Sequence, residues 1–204
     1  AAGDLAISGN FTVEGTGGAP LLKVDAGVDA IYLGDYTGGN YSEFTSSGSL
    51  MLLGDATVWE DINMGAAMLT KPASSAPGTD ELKDSSGADT GVDTYAFAIN
   101  EKVSSVLEIP HDYKEGSDIT PHVHWQGIAA PADVDDSVRW KLTYTLSRDG
   151  ETLQSTTTIY TSSHISSQYE VVRADWSAID GSTAGHGGGE IQIGDQIAFV
   201  LERS

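Results

Sequence analysis

From Thr94 to the C-terminus, apolar and polar residues alternate one by one along several short runs, as strands with one buried face require. The clearest run is SVRWKLTYTLS, residues 137–147, where Val138, Trp140, Leu142, Tyr144 and Leu146 share a face and Arg139, Lys141, Thr143 and Thr145 take the other. TYAFAIN sets Tyr95, Phe97 and Ile99 on one side, and EIQIGDQIAFVLERS brings Ile197, Phe199 and Leu201 to close a core. TLQSTTTIYT and SQYEVVRA read as further strands, separated by turns such as Arg148-Asp149-Gly150. No segment of useful length carries a helical period. The expectation is an all-β chain whose residues 94–204 form an antiparallel β-sandwich, jelly-roll-like in outline.

The first sixty residues follow a different pattern. Short apolar runs, LAISGNFTVEG, PLLKVDAGVDAIYLGD and SLMLLGD, are broken by eleven glycines. Strands of about five residues between such breaks are too short to enclose a core within one chain. Residues 1–65 are therefore expected to be an assembly or attachment segment whose apolar side chains need a partner. Leu33-Gly34-Asp35 recurs as Leu53-Gly54-Asp55, a weak repeat that makes Leu33 and Leu53 interface candidates. Val58, Trp59 and Ile62 form an aromatic and aliphatic cluster at the end of the segment and join them as anchors. Residues 66–93, dominated by TKPASSAPGTDELKDSSGADTGVD, have almost no large apolar side chains and read as a linker or extended arm.

Thirty acidic against ten basic residues give a net charge of −20. Such a surface repels phosphate backbones and anionic membranes, so neither nucleic acid nor membrane is expected as a partner. Without cysteine there are no disulfides and no thiolate metal sites, and stability must come from packing or association. No apolar run approaches the length of a bilayer span. The chain begins at Ala1, which fits removal of an initiator methionine or of a longer leader.

The histidine pair in YKEGSDITPHVHWQG, residues 113–127, is the most pointed chemical feature. On a strand His122, His124 and Gln126 share one face, and Val123 and Trp125 the other. Two imidazoles so placed can hold Zn²⁺ if a third ligand arrives, with His111, Asp112 or Asp118 as sources. They can also be polar wall residues on an outer sheet face or a subunit interface, which is the favoured reading, or a catalytic base with its neighbour. GHGGG, residues 185–189, resembles the oxyanion-hole loop of lipases, but the G-x-S-x-G elbow those enzymes need is missing and a flexible hairpin accounts for it better. DVDD (133–136) and DAGVD (25–29) offer oxygens for Ca²⁺ but do not match an EF-hand loop. Trp176, beside a loop in RADWSAIDG, is the candidate for stacking on a sugar. No catalytic residue and no cofactor is expected.

GDATVWEDI (54–62), LKDSSGADTGVDTYAF (82–97), IPHDYKEGSDITPHVHW (109–125) and VRWKLTYT (138–145) together resemble a group of poorly characterised bacteriophage structural proteins. The resemblance spans roughly residues 41–146 and is most specific around the histidine pair. It implies a virion component, attached to head or tail, with no catalytic residues to carry over. Combined with the short-strand segment, it leads to the expectation of a capsid decoration or short fibre protein, self-associating and preferably trimeric, in contact with capsid or tail subunits. The alternative is a carbohydrate-binding module that recognises host receptors.

Overall fold

The computed structural model describes residues 9–16, 18, 20–54, 60–133, 136–182 and 189–204. The chain divides into two compact units, Ala1–Ile62 and Asn63–Ser204. Both are built from antiparallel strands, and among the described residues the only helical element is a 3-10 turn, Ala66–Met68.

The first unit is a five-stranded meander: β1 (Phe11–Glu14), β2 (Pro20–Asp25), β3 (Ala30–Asp35), β4 (Asn40–Phe44) and β5 (Leu50–Leu53), side by side in chain order. Its turns are set by polar side chains that stand in for backbone partners. Asp25 Oδ1 accepts the Gly27 N–H at 2.9 Å, Asp35 Oδ1 accepts the Gly38 N–H at 2.8 Å, and Thr45 Oγ1 accepts the Ser49 N–H at 3.2 Å. These three turns open at Asp25, Asp35 and Thr45, ten residues apart, so one strand plus one turn is the repeat that organises the sheet. The Leu-Gly-Asp pair is not that repeat. Gly34 lies within β3 at φ +110° with the Asn40 carbonyl 3.0 Å from where a Cβ would stand, whereas Gly54 turns the chain after β5.

The second unit places a four-stranded sheet against a two-stranded one. The four-stranded sheet runs in the order β11 (Thr157–Ser163), β10 (Val138–Ser147), β13 (Gln196–Arg203), β8 (Lys102–Glu108), and a bridge from Thr70 to Ser104 extends it at the β8 edge. The smaller sheet pairs β9 (His122–Gln126) with β12 (Val171–Asp175). Between them Trp140, Leu142, Tyr144, Leu146, Ile197 and Leu201 pack with Ala174, Trp176, Ile179 and Ile191, and Phe199, Val123 and Trp125 lie against this core. The alternation in β10 thus points as its sequence predicts, and the unit is sandwich-like. Ile99 departs from its expected place: β7 (Asp89–Ala96) ends before it, and it is 65 % exposed in the turn that follows.

Residues 66–93, expected as a linker or extended arm, are folded into the second unit. They hold the 3-10 turn, β6 (Gly78–Lys83) and the start of β7, which pair as an antiparallel hairpin. Polar contacts replace the missing apolar ones. The Asp84 carboxylate accepts N–H groups from Ser86 and Ala88 and so shapes the turn, while Lys83 reaches Asp80 at 3.1 Å and also pairs with Asp89. The Gln126 amide then holds the hairpin from β9: its Oε1 accepts the Lys83 N–H at 2.9 Å, and its Nε2 donates to the Lys83 carbonyl at 2.8 Å and the Tyr169 carbonyl at 2.9 Å.

Candidate assembly interface

Cross-strand register defines the two faces of the N-terminal sheet. Residues directly opposite each other in an antiparallel pair share a face, and one row reads Phe11, Val24, Ile31, Phe44, Leu50 across the five strands. The next row on that face reads Val13, Leu22, Leu33, Ser42, Leu52. Nine of these ten positions are apolar. Eight of the nine remain 37–57 % exposed, from Val24 to Leu50, and Leu22 is half-buried. Scattered surface leucines need no explanation, but a contiguous apolar face of this kind marks an interaction site.

The opposite face gathers the unit's packed aromatic and charged side chains, with Met51 left 46 % exposed at its edge strand. Tyr32, 6 % exposed, lies under Tyr36 and Tyr41, with ring centroids 4.4 and 5.4 Å away. Lys23 sits 4.2 Å above the Tyr36 ring and pairs with Asp25 at 2.7 Å. The hydrogen bond to Asp25 raises the Lys23 pKa, and the same bond with the Gly27 N–H lowers that of Asp25. Charge and aromatic packing are gathered on one side of the sheet, and most of the exposed hydrocarbon on the other.

The predicted interface residues divide accordingly. Leu33 stands in the apolar row and is 43 % exposed. Leu53 pairs with Tyr41 and belongs to the opposite, tyrosine-bearing face, because two leucines with matching tripeptides fall on strands of different parity. Ile62 is 45 % exposed at the end of the first unit. Val58 and Trp59 lie outside the described residues. Phe11, Val13, Leu22, Val24, Ile31, Phe44, Leu50 and Leu52 are absent from the sequence-based set; the signal that finds them is the ten-residue turn repeat, which fixes the register of each strand against the next.

The histidine pair sits on the outward face of β9. The His122 and His124 rings are 5.1 Å apart and nearly perpendicular, and β12 sets Asp175 opposite His122 and Arg173 opposite His124. Arg173 Nε pairs with Asp175 at 2.9 Å. Val123 and Trp125 face inward, and the Trp125 indole N–H donates to Ser163 Oγ at 2.8 Å. Among the described residues no three His, Asp or Glu side chains are grouped to hold a metal ion. His111, Asp112 and Asp118 do not complete a ligand set with the pair.

Trp176 is not available to a sugar. It is 5 % exposed, two residues beyond Ala174 on the inward side of β12, and part of the core. Of the oxyanion-like loop only Gly189 is described, and of the DVDD loop only Asp133 and Asp136, where Asp136 Oδ2 caps the Ala132 and Asp133 N–H groups at 2.9 and 3.2 Å. In the DAGVD turn the Asp25 carboxylate is already taken by Lys23 and Gly27.

Two further features of the second unit escaped sequence reading. Asp195, 6 % exposed, accepts a two-pronged pair from Arg148, Nε to Oδ1 and Nη2 to Oδ2, both at 2.8 Å, and the Gln192 N–H at 2.9 Å. Burial pushes the Asp195 carboxyl up, but Arg148 and Gln192 outweigh it and hold it below the usual carboxylate range. Arg148 also donates to the Glu190 carbonyl at 2.8 Å and so ties the end of β10 to the strand-free segment before β13. On the outer face of the four-stranded sheet a shallow trough of about 440 Å³ is floored by Thr143, Thr145, Ala198, Val200, Ser104 and Val106. Hydroxyl and aliphatic groups of this kind offer contact area and no acid, base or nucleophile pair.

No protein-family model matches the chain, and neither a curated protein nor a solved structure is significantly similar to it.

Proposed function

We propose that this chain is a structural component of a bacteriophage particle, a head decoration or short fibre subunit that self-associates through its N-terminal sheet and presents its C-terminal unit to the exterior. The observation that carries the proposal is the apolar face of β1–β5: nine hydrocarbon side chains in two register-matched rows, mostly exposed, on a sheet whose other face carries charge and packed tyrosines. A contiguous exposed apolar face of this kind marks an interaction site and favours a partner that covers it. The resemblance read in residues 41–146 suggests the phage setting, and the formal net charge of −20 suits a protein that stays dispersed until it meets its assembly partners.

A structural role needs no catalytic constellation, and the histidine pair fits it as two polar residues on an outer sheet face. The receptor-binding alternative names Trp176 as its glycan contact, and that ring is enclosed in the core. Immunogold labelling of intact virions with an antibody against the C-terminal unit tests the proposal. Label on the particle surface is the expected result. Unlabelled particles, with the protein recovered only from the soluble fraction of infected cells, would overturn it.

A further inference from the structure

We infer that His122 and His124 form a two-imidazole chelate for a late transition-metal ion, Zn²⁺ in the first place, on the outer face of β9. Its presence does not depend on the particle role proposed above.

Ring spacing carries the inference. An imidazole nitrogen binds Zn²⁺ at about 2.1 Å and the ring centre lies about 1.1 Å behind it, so each ring centre of a ligating pair stands about 3.2 Å from the ion. Opened to the tetrahedral angle of about 109°, two such rings have centres about 5.2 Å apart. The His122 and His124 ring centres are 5.1 Å apart. Their nearly perpendicular planes are no obstacle. The Cβ–Cγ torsion of histidine is broad, and turning about it re-aims a nitrogen while leaving the ring centre almost in place. The backbone holds this spacing before any ion arrives, because residues two apart on a strand share a face. All five residues of β9 pair with β12, Val123 and Trp125 pack inward against the core, and the Trp125 indole N–H is held by Ser163. Binding therefore costs little ordering. His124 is exposed and His122 half-buried, so solvent reaches both.

The donor set selects the ion. Two nitrogens with no third ligand grouped beside them suit Zn²⁺, Ni²⁺ and Cu²⁺ and not Ca²⁺ or Mg²⁺, which take oxygen ligands. A tetragonal ion, with donors at about 90°, draws the ring centres in to about 4.5 Å, so the observed separation favours the tetrahedral one. Two protein ligands make an open chelate, its remaining positions filled by water, and not the closed site of a structural zinc. The charges facing the pair nearly cancel: across the register Asp175 stands opposite His122 and Arg173 opposite His124, and the two are ion-paired at 2.9 Å. The imidazole nitrogens, not the local field, supply the attraction. Arg173 is the one cation set against the ion on this small sheet, and its exposed pair with Asp175 is of the weak kind.

Equilibrium dialysis of the full chain against Zn²⁺ at neutral pH tests this, with Ca²⁺ in excess to occupy the scattered carboxylates. The chain has no cysteine to compete for the ion. One saturable Zn²⁺ per chain is the expected result. Affinity falls at least about tenfold in His122→Gln and in His124→Gln, since loss of a ligand costs no less than loss of a group that orients one. Both variants keep the metal-free fold, as circular dichroism checks. His164→Gln, on a separate loop, binds as the parent does, and Arg173→Gln binds more tightly because the opposing cation is gone. Equal retention of Zn²⁺ by the variant carrying both His122→Gln and His124→Gln places the ion on carboxylates and overturns the inference. No uptake by the parent chain overturns it as well, and either result leaves self-association untouched.

Discussion

Arg148 and Asp195 form the best-defined polar contact of the second unit, and its removal has a calculable signature. Arg148→Met keeps much of the aliphatic stem and deletes two hydrogen bonds to the carboxylate and one to the Glu190 carbonyl. Asp195, 6 % exposed, is left with the Gln192 N–H. Breaking a buried pair from one side costs about 3–5 kcal/mol, and the side chain of Arg148 retains 25 % exposure, so the expected loss at pH 7 is about 3 kcal/mol. The pH dependence carries the sign. In the native protein the Asp195 pKa is depressed, so its contribution is complete above the ordinary carboxylate value and fades as pH falls through the folded value. In the variant, burial acts without its counter-ion and raises that pKa, so protonation favours the folded form. The stability gap between the two proteins must narrow from pH 7 to pH 3. Urea unfolding at pH 7, 5, 4 and 3 measures it. A gap below ~0.5 kcal/mol at pH 7, within the range of ordinary surface substitutions, or one that does not change with pH, refutes the reasoning.

Other outcomes follow from named contacts. Trp176→Ala, which removes a core side chain, destabilises the second unit by about 3–5 kcal/mol in thermal or urea melts, where a glycan-binding tryptophan on the surface would cost little. His122→Ala and His124→Ala each change stability by less than about 0.5 kcal/mol, as outer-face residues do, and a larger loss contradicts their placement. Gly181→Ala sets a methyl group 1.9 Å from the Ser117 carbonyl oxygen and is expected to lower the melting temperature sharply, whereas Gly65→Ala, with open space around it, is expected to be nearly neutral. Gln126→Ala frees the Lys83 backbone from β9, so the amides of β6 and β7 exchange with deuterium faster while those of β10 keep their protection.

What the sequence reveals here depends on whether a contact leaves a periodic trace. Trp140, Leu142, Tyr144 and Leu146 do, because a buried sheet face repeats every second residue, and their burial follows from the pattern. Trp176 obeys the same parity from Ala174, but its place one residue past the end of β12 makes it look like a loop residue. The β6–β7 hairpin has no such trace. It is fixed by a turn-capping aspartate, ion pairs and an amide from a residue 43 positions away, and composition alone reads such a segment as unstructured. The apolar face of the N-terminal sheet falls between these cases. Its need for a cover is legible from short strands and glycine breaks, whereas its membership requires the cross-strand register that the ten-residue spacing of turns establishes.

The central claim is that the N-terminal sheet is covered by copies of itself. Light scattering on the full chain across a dilution series measures this most directly. A sheet covered by copies of itself gives a mass of at least twice 21.4 kDa, about 43 kDa or a higher multiple, held over the series. A steady mass of 21.4 kDa, with the protein folded and soluble, would contradict it.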